Sequence, residues 1–283
     1  MKLNLETIKS IFAENNINYS EPGFYDNSAF LKCEKENPCF LELYADYIIT
    51  KSYTEEYLQY VKEIVPKIAN FLYKELKKDG RKGACIDINQ TFLRILEEEK
   101  IWAYQITGSL AILINNNNLT TTFVVFSPIN LNQKCGHSWL CVPPFKIIDI
   151  SLYMQDYPPQ VQKLIPDSYI IKEQVEILDS NKITSEFIID PDCIEYMTKI
   201  DGRFSNPPTL KEVQEFINKP ELFEHIDNYG AFLYQPNQFV NAIYISLGIT
   251  APDSPLKEMK NLCLSGKYPL DLYYEYLKTH KSN

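Results

Sequence analysis

The amino-acid sequence predicts an α+β fold: helices at the N-terminal end, a helix packed on an antiparallel sheet in the middle, and a helical C-terminal part. Two observations carry that expectation. Leu58, Val61, Val65, Ile68, Leu72 and Leu76 recur at steps of three and four, the period of a helix with one buried face. Between residues 101 and 150, β-branched and aromatic residues take over, broken by asparagines at 115–118 and by Pro143-Pro144, the punctuation of hairpins.

The elements follow in order. Residues 5–15 read as a short helix. Residues 54–78 form a longer one, closed by Lys77-Lys78-Asp79-Gly80, a basic last turn and a glycine stop. A new helix opens at or near Cys85, because Ile88, Phe92, Leu93 and Leu96 repeat the helical period up to Glu97-Glu98-Glu99. Ile101 to Ile114 and Thr120 to Phe126 read as the two strands of a hairpin. His137 to Val142 and Phe145 to Ile150 form a second pair, turned at prolines that cannot continue a ladder. Tyr169 to Leu178 allows a strand, and the rest of 160–205 has no clear period. Beyond residue 200, helical patterns appear near 208–219, 236–247 and 255–280, separated by Pro and Gly. The expected organisation is an N-terminal helical or irregular extension over 1–53, a core over 54–180 and a mainly helical segment over 181–283.

Composition narrows the function classes. The 283 residues are 45% apolar, enough to bury a real core, and 28 basic against 37 acidic residues give a net charge of -9. With no long basic run, nucleic acid is a poor partner. No stretch approaches the length of a membrane span, and the first residues lack the pattern of a secretory signal. Seven cysteines show no disulfide framework, so reduced thiols in a cytoplasmic protein are expected. Cys135, His137 and Cys141 lie close in sequence, but with no second knuckle they do not make a zinc site, and no metal or organic cofactor is expected.

Chemistry concentrates in three short stretches, Gly83-Ala84-Cys85-Ile86-Asp87, Gly136-His137-Ser138-Trp139 and Ile147-Ile148-Asp149-Ile150. A thiol needs an imidazole beside it to act as a nucleophile near neutral pH, and the imidazole needs a third group to fix its tautomer. At a helix start, unpaired N–H groups favour a thiolate and can hold an oxyanion. Strand alternation sets His137, Trp139 and Cys141 on one face. Pairing the two strands about Pro143 sets Asp149 opposite His137, within hydrogen-bond reach, and a slip of one residue would remove it.

The run Gly83-Ala84-Cys85 with a helix after it, then Ile101 to Gly108, then His137-Ser138-Trp139, then Ile148-Asp149, resembles the core of the transglutaminase-like superfamily. The resemblance covers about residues 54 to 155. It implies a papain-like core in which Cys85 is the nucleophile, His137 the general base and Asp149 its orienting partner. It also implies attack on an amide or ester acyl group, with a protein or peptide as substrate. Tyr73, on the preceding helix, is the candidate side-chain donor to an oxyanion, and Trp139 a candidate wall of a substrate cleft. Arg81-Lys82-Gly83-Ala84-Cys85 also looks somewhat like the arginine-glycine-glycine-x-cysteine signature of the arylamine N-acetyltransferases, which use acetyl-CoA. Lys82 departs from that signature at its first glycine, so this reading stands second. A protein that keeps the core fold for binding or scaffolding, without turnover, is the alternative outside enzymes.

Overall fold

The computed structural model describes residues 3–114, 119–123, 136–177, 212, 231–237, 240–260 and 262–280. The chain begins with helices α1 (Leu5–Glu14), α2 (Ser28–Glu36) and α3 (Leu41–Thr50). The first two are started by asparagines whose side chains accept a first-turn N–H, Asn4 from Thr7 and Asn27 from Ala29. Helix α4 (Glu55–Asp79) starts at Thr54, whose hydroxyl accepts the Tyr57 N–H, and stops at Gly80 in the left-handed region. Helix α5 runs Cys85–Glu98. The helices expected at 5–15, at 54–78 and from Cys85 are therefore present, with ends moved by a residue or so.

The strands are β1 (Tyr104–Ile114), β2 (Leu119–Phe123), β3 (His137–Val142) and β4 (Phe145–Asp149). Then come β5 (Ile170–Lys172), β6 (Glu176–Ile177), β7 (Ala231–Asn237) and β8 (Val240–Thr250). Among the described residues they form one antiparallel sheet in the order β5-β4-β3-β1-β8-β7-β6, with β2 also paired to β1. Strand β1 is the spine. Its first half pairs with β3 and its second half with β2, while β8 runs along its other edge.

Alternation along the strands divides the core into two halves. Tyr104, Ile106, Leu110, Ile112, Trp139 and Tyr244 face α1 to α3, where Ile8, Phe12, Phe30, Tyr44 and Ile48 meet them. On the other face Leu140, Val142 and Ile148 meet Val65, Leu72, Ile88 and Phe92 of α4 and α5. Leu272 and Tyr276 of the last described helix, α6 (Pro269–His280), join that second half. Residues 5–50 thus supply a complete layer of the core, held by edge-on aromatic contacts such as Phe12 to Phe24 at 5.2 Å between centroids.

Arg94 ties these layers together. Its buried guanidinium pairs with Asp26 at 2.6 Å and Glu97 at 2.8 Å and donates to the carbonyls of Pro252 and Ser254. A charge buried this deeply is tolerated because each of these partners satisfies one of its N–H groups. The contacts fix α5 against the N-terminal layer and against the chain that leaves β8.

The C-terminal part differs from expectation. Residues 236–247, expected as a helix, contribute to β7 and β8, and β8 lies at the centre of the sheet. A strand buried on both faces is apolar at nearly every position, so periodicity cannot separate it from a helix. Over 255–280 the expected helix shortens to α6, preceded by a 3₁₀ turn at Leu256–Glu258 and irregular chain. The helix expected near 208–219 lies outside the described residues except at Glu212. Tyr169 to Leu178 resolves into two short strands, β5 and β6. Among the described residues, no helix is long and apolar enough to cross a membrane.

Candidate active site

Helix α5 starts at the nucleophile candidate itself. Gly83 adopts φ +68°, a left-handed conformation that favours glycine, and its N–H donates to the Met154 carbonyl at 2.9 Å. Ala84 occupies the N-cap and has no side-chain acceptor, so no side chain caps the first turn. An alanine is a poor N-cap, costing about 1 kcal/mol against serine or aspartate, and it leaves the helix start without a side-chain acceptor. Cys85 is only 4% exposed, and its sulfur lies 3.8 Å from the carbonyl oxygen of Gly136, the residue before β3.

His137 is the first residue of β3. Its Nε2 lies 2.6 Å from Asp149 Oδ2, and both side chains are fully buried. Nε2–H therefore donates to the carboxylate, and Nδ1 is the nitrogen left for the thiol. Nδ1 has no hydrogen-bond partner among the described residues, yet the Cys85 side chain is near enough to favour the imidazolium. Sulfur and imidazole are neighbours that have not closed a well-aligned hydrogen bond, a common state in an unliganded thiol site.

The electrostatics follow from burial and partners. Burial pushes His137 down, but the Asp149 carboxylate and then Cys85 push it up, to about 10. Burial pushes Asp149 up, and the His137 charge and hydrogen bond together with two bonds from Ser151 hold it below its ordinary value. The backbone N–H and the hydroxyl of Ser151 each donate to Oδ1 at 2.9 Å. The Tyr244 hydroxyl donates to Oδ2 at 2.9 Å. Four donors therefore surround one buried carboxylate, which makes its charge tolerable in the core.

The structure brings His137 and Asp149 together by a register other than the expected one. Pairing about Pro143 would set them directly opposite. Instead Val142 pairs with Phe145 and Leu140 with Ile148, with a register shift between. Continuing the second register by one residue sets Trp139 across from Asp149, so the His137–Asp149 bond is a diagonal one. Both side chains still share a face, as the alternation implied.

The nucleophile helix is fastened to the histidine strand by Asn89, one turn after Cys85. Its Nδ2 donates to the Cys85 carbonyl at 2.8 Å and to the Ser138 carbonyl at 2.7 Å. Gln105 in turn donates to the Ser138 hydroxyl, which donates to the Ile106 carbonyl. A polar chain buried beneath the site thus sets the distance between α5 and β3.

The other expected site residues fall elsewhere. Trp139 lies in the core, fully buried, stacked on His137 at 6.2 Å and edge-on to Tyr244 at 5.2 Å. It backs the imidazole from within the core. Tyr73 donates its hydroxyl to Asp167 at 2.6 Å, packs on Tyr169 and has Lys77 over its ring. Those contacts commit it away from Cys85, His137 and Asp149. Cys135 lies outside the described residues, and Cys141 places its sulfur 3.5 Å from the Phe145 carbonyl.

Sequence reasoning missed Tyr244, Tyr157, Asn89 and Ser151. Tyr157 is buried, and its hydroxyl is held well above its ordinary value first by burial, then by the Asp149 and Cys85 charges, so the phenol stays neutral beside the site. Two of the four carried a readable signal. Asn89 sits four residues after Cys85, on the same helix face, and Ser151 sits two after Asp149, the spacing of a side chain that bonds the chain just ahead of it. No family model matches the chain, and neither a curated protein nor a solved structure matches it.

Proposed function

We propose that the chain is a cysteine-dependent hydrolase or acyltransferase with a papain-like, transglutaminase-like core, acting on an amide or ester acyl group of a protein or peptide. One observation carries the reading: His137 gives Nε2 to Asp149 at 2.6 Å while Nδ1 remains for Cys85 at a helix start with no side-chain cap. The Cys85 proton passes to Nδ1, and the sulfur attacks the acyl carbon. The oxyanion forms at the first turn of α5, where unpaired N–H groups and the helix dipole oppose its charge. Nδ1–H then protonates the departing amine or alcohol, leaving an acyl-thioester and a neutral imidazole. A second nucleophile, water or an amine, gives its proton to Nδ1 as it attacks the thioester, and the thiol is restored. Asp149 stays ionised throughout and stabilises the imidazolium. Every proton and electron pair is accounted for by the three side chains and the substrate, so the reaction calls for no metal or organic cofactor. Cys33, Cys85, Cys141 and Cys263 are free thiols, which suits a reducing cytoplasm.

The opposite reading, a scaffold without turnover, is favoured by one fact: Cys85 is 4% exposed. Labelling with an iodoacetamide probe at neutral pH separates the two. Cys33, Cys39 and Cys263 are all more accessible than Cys85 and serve as internal references. Cys85 reacting ahead of them, with that signal lost in Cys85→Ala, supports a thiol activated by His137. Labelling that persists at the same rate in Cys85→Ala, or a Cys85 slower than the references, sinks it.

A further inference from the structure

We propose that Tyr244 is a positioning residue for this site: by sharing Asp149 Oδ2 with His137, it weakens the grip of the carboxylate on the imidazolium. The inference rests on the thiol-enzyme reading above, and it assigns a role to a residue two strands away on the same face of the sheet.

Tyr244 lies on β8, two strands away from His137, and pairs with Leu110 of β1. Its ring packs edge-on to Trp139 and approaches the His137 ring to 6.1 Å between centroids. Between the two strands, β1 has glycine at position 108, opposite His137. A Cβ at Gly108 would lie 2.9 Å from the Trp139 ring. The Tyr244 hydroxyl reaches Oδ2 at 2.9 Å, the same oxygen that His137 Nε2 holds at 2.6 Å.

Two donors on one oxygen compete for its charge. A neutral phenol that takes part of the negative charge leaves less for the imidazolium, so the Nε2–H···Oδ2 bond weakens and the imidazolium becomes more acidic. That direction is useful. An imidazolium held too firmly is a poor acid toward a departing amine, and proton transfer is fastest when the acid is matched to the operating pH. His137 already lies far above the neutral range, so a group that draws it down favours turnover. Packing alone does not call for the hydroxyl, since phenylalanine would fill the same space.

The test is NMR on isotope-labelled protein, Tyr244→Phe against wild type, with His137→Gln used to assign the His137 signals. Three histidines in the chain keep the spectrum simple. In Tyr244→Phe the His137 Hε2 resonance should move further downfield and the imidazole should titrate at higher pH. In wild type, the Tyr244 hydroxyl proton should show a nuclear Overhauser effect to His137 Hε2, a check that needs no variant. An unshifted Hε2 in folded Tyr244→Phe, or the absence of that effect in wild type, overturns the inference. The outcomes separate from the parent reading: an activated Cys85 with an unmoved His137 signal removes only the role of Tyr244. An unreactive Cys85 removes the enzyme.

Discussion

Asp149→Asn exchanges one atom and should silence the thiol by reversing the histidine tautomer. The carboxylate accepts four hydrogen bonds, two from Ser151 on Oδ1 and one each from His137 and Tyr244 on Oδ2. An asparagine in the same pose has one oxygen and one NH₂. With the NH₂ toward Ser151, it would face a backbone N–H that cannot become an acceptor, and two buried donors left unpaired cost about 1–3 kcal/mol each. The oxygen therefore turns to Ser151 and the NH₂ to His137. Nε2 must then accept, which moves the ring proton to Nδ1, the nitrogen meant to receive the thiol proton. The side chain keeps its shape and its place while the base loses its lone pair toward sulfur.

The magnitude comes from the ionised fraction of an ordinary thiol. With an acidity near 8.5, such a group is about 0.3% thiolate at pH 6, so losing activation lowers alkylation there by at most on the order of 300-fold. Iodoacetamide rates at pH 6, followed by intact mass and localised to Cys85 by peptide mapping, measure the effect. A thermal transition shows that the variant is folded. If folded Asp149→Asn alkylates at Cys85 as fast as wild type at pH 6, Asp149 does not set the tautomer and the triad reasoning fails.

Two further outcomes follow from the same geometry. Folded His137 is raised above its free value near 6.5, to about 10 and mainly by Asp149, so a chain without the Cys85 thiol, which would otherwise supply that proton, takes one more proton from solvent when folded than when unfolded between those values. Its contribution to stability is complete below pH 6.5 and falls by about 1.4 kcal/mol per pH unit as pH rises toward 10. Urea unfolding at pH 7, 8 and 9 should show that extra slope in Cys85→Ala and not in Cys85→Ala with His137→Asn; equal slopes would count against the buried imidazolium. Gly108→Ala would set a Cβ 1.9 Å from the Ile245 carbonyl oxygen and 2.9 Å from the Trp139 ring, so the backbone of β8 must yield. A loss of at least about 2 kcal/mol is expected from urea midpoints, and a variant as stable as wild type would contradict this packing.

What the sequence disclosed about this site is what local rules control. Cys85 at a helix start, the shared face of His137 and Asp149, and the turn at Pro143-Pro144 each depend on a few neighbouring residues, and the structure has all three. Tyr244 was hidden because Ala242 to Ile245 is a short, continuous apolar run, which periodicity alone cannot assign to a strand or a helix. The layer made by residues 5–50 was hidden for a related reason. A short helix shows which of its faces is apolar, but not which sheet face receives it. Tyr244 reaches the site only through the sheet order, a tertiary fact with no local trace.

The register of β3 and β4 shows how narrow the margin is. At the turn, Val142 faces Phe145, and continuing that register would set Ser138 across from Asp149. Asp149 would then project to the α5 side with Leu140 and Val142, away from His137, since directly opposed residues share a face. Between the two observed pairs β3 has one residue, Cys141, while β4 has two, Lys146 and Ile147. That single extra residue is a bulge, and it returns Asp149 to the face of His137. Lys146, one of the two residues between the pairs, is exposed, while Phe145, Ile147, Ile148 and Asp149 are buried. Lys146 marks the turn of the strand on which the triad depends, and such bulges recur beside active sites because they re-aim one side chain without disturbing the ladder around it.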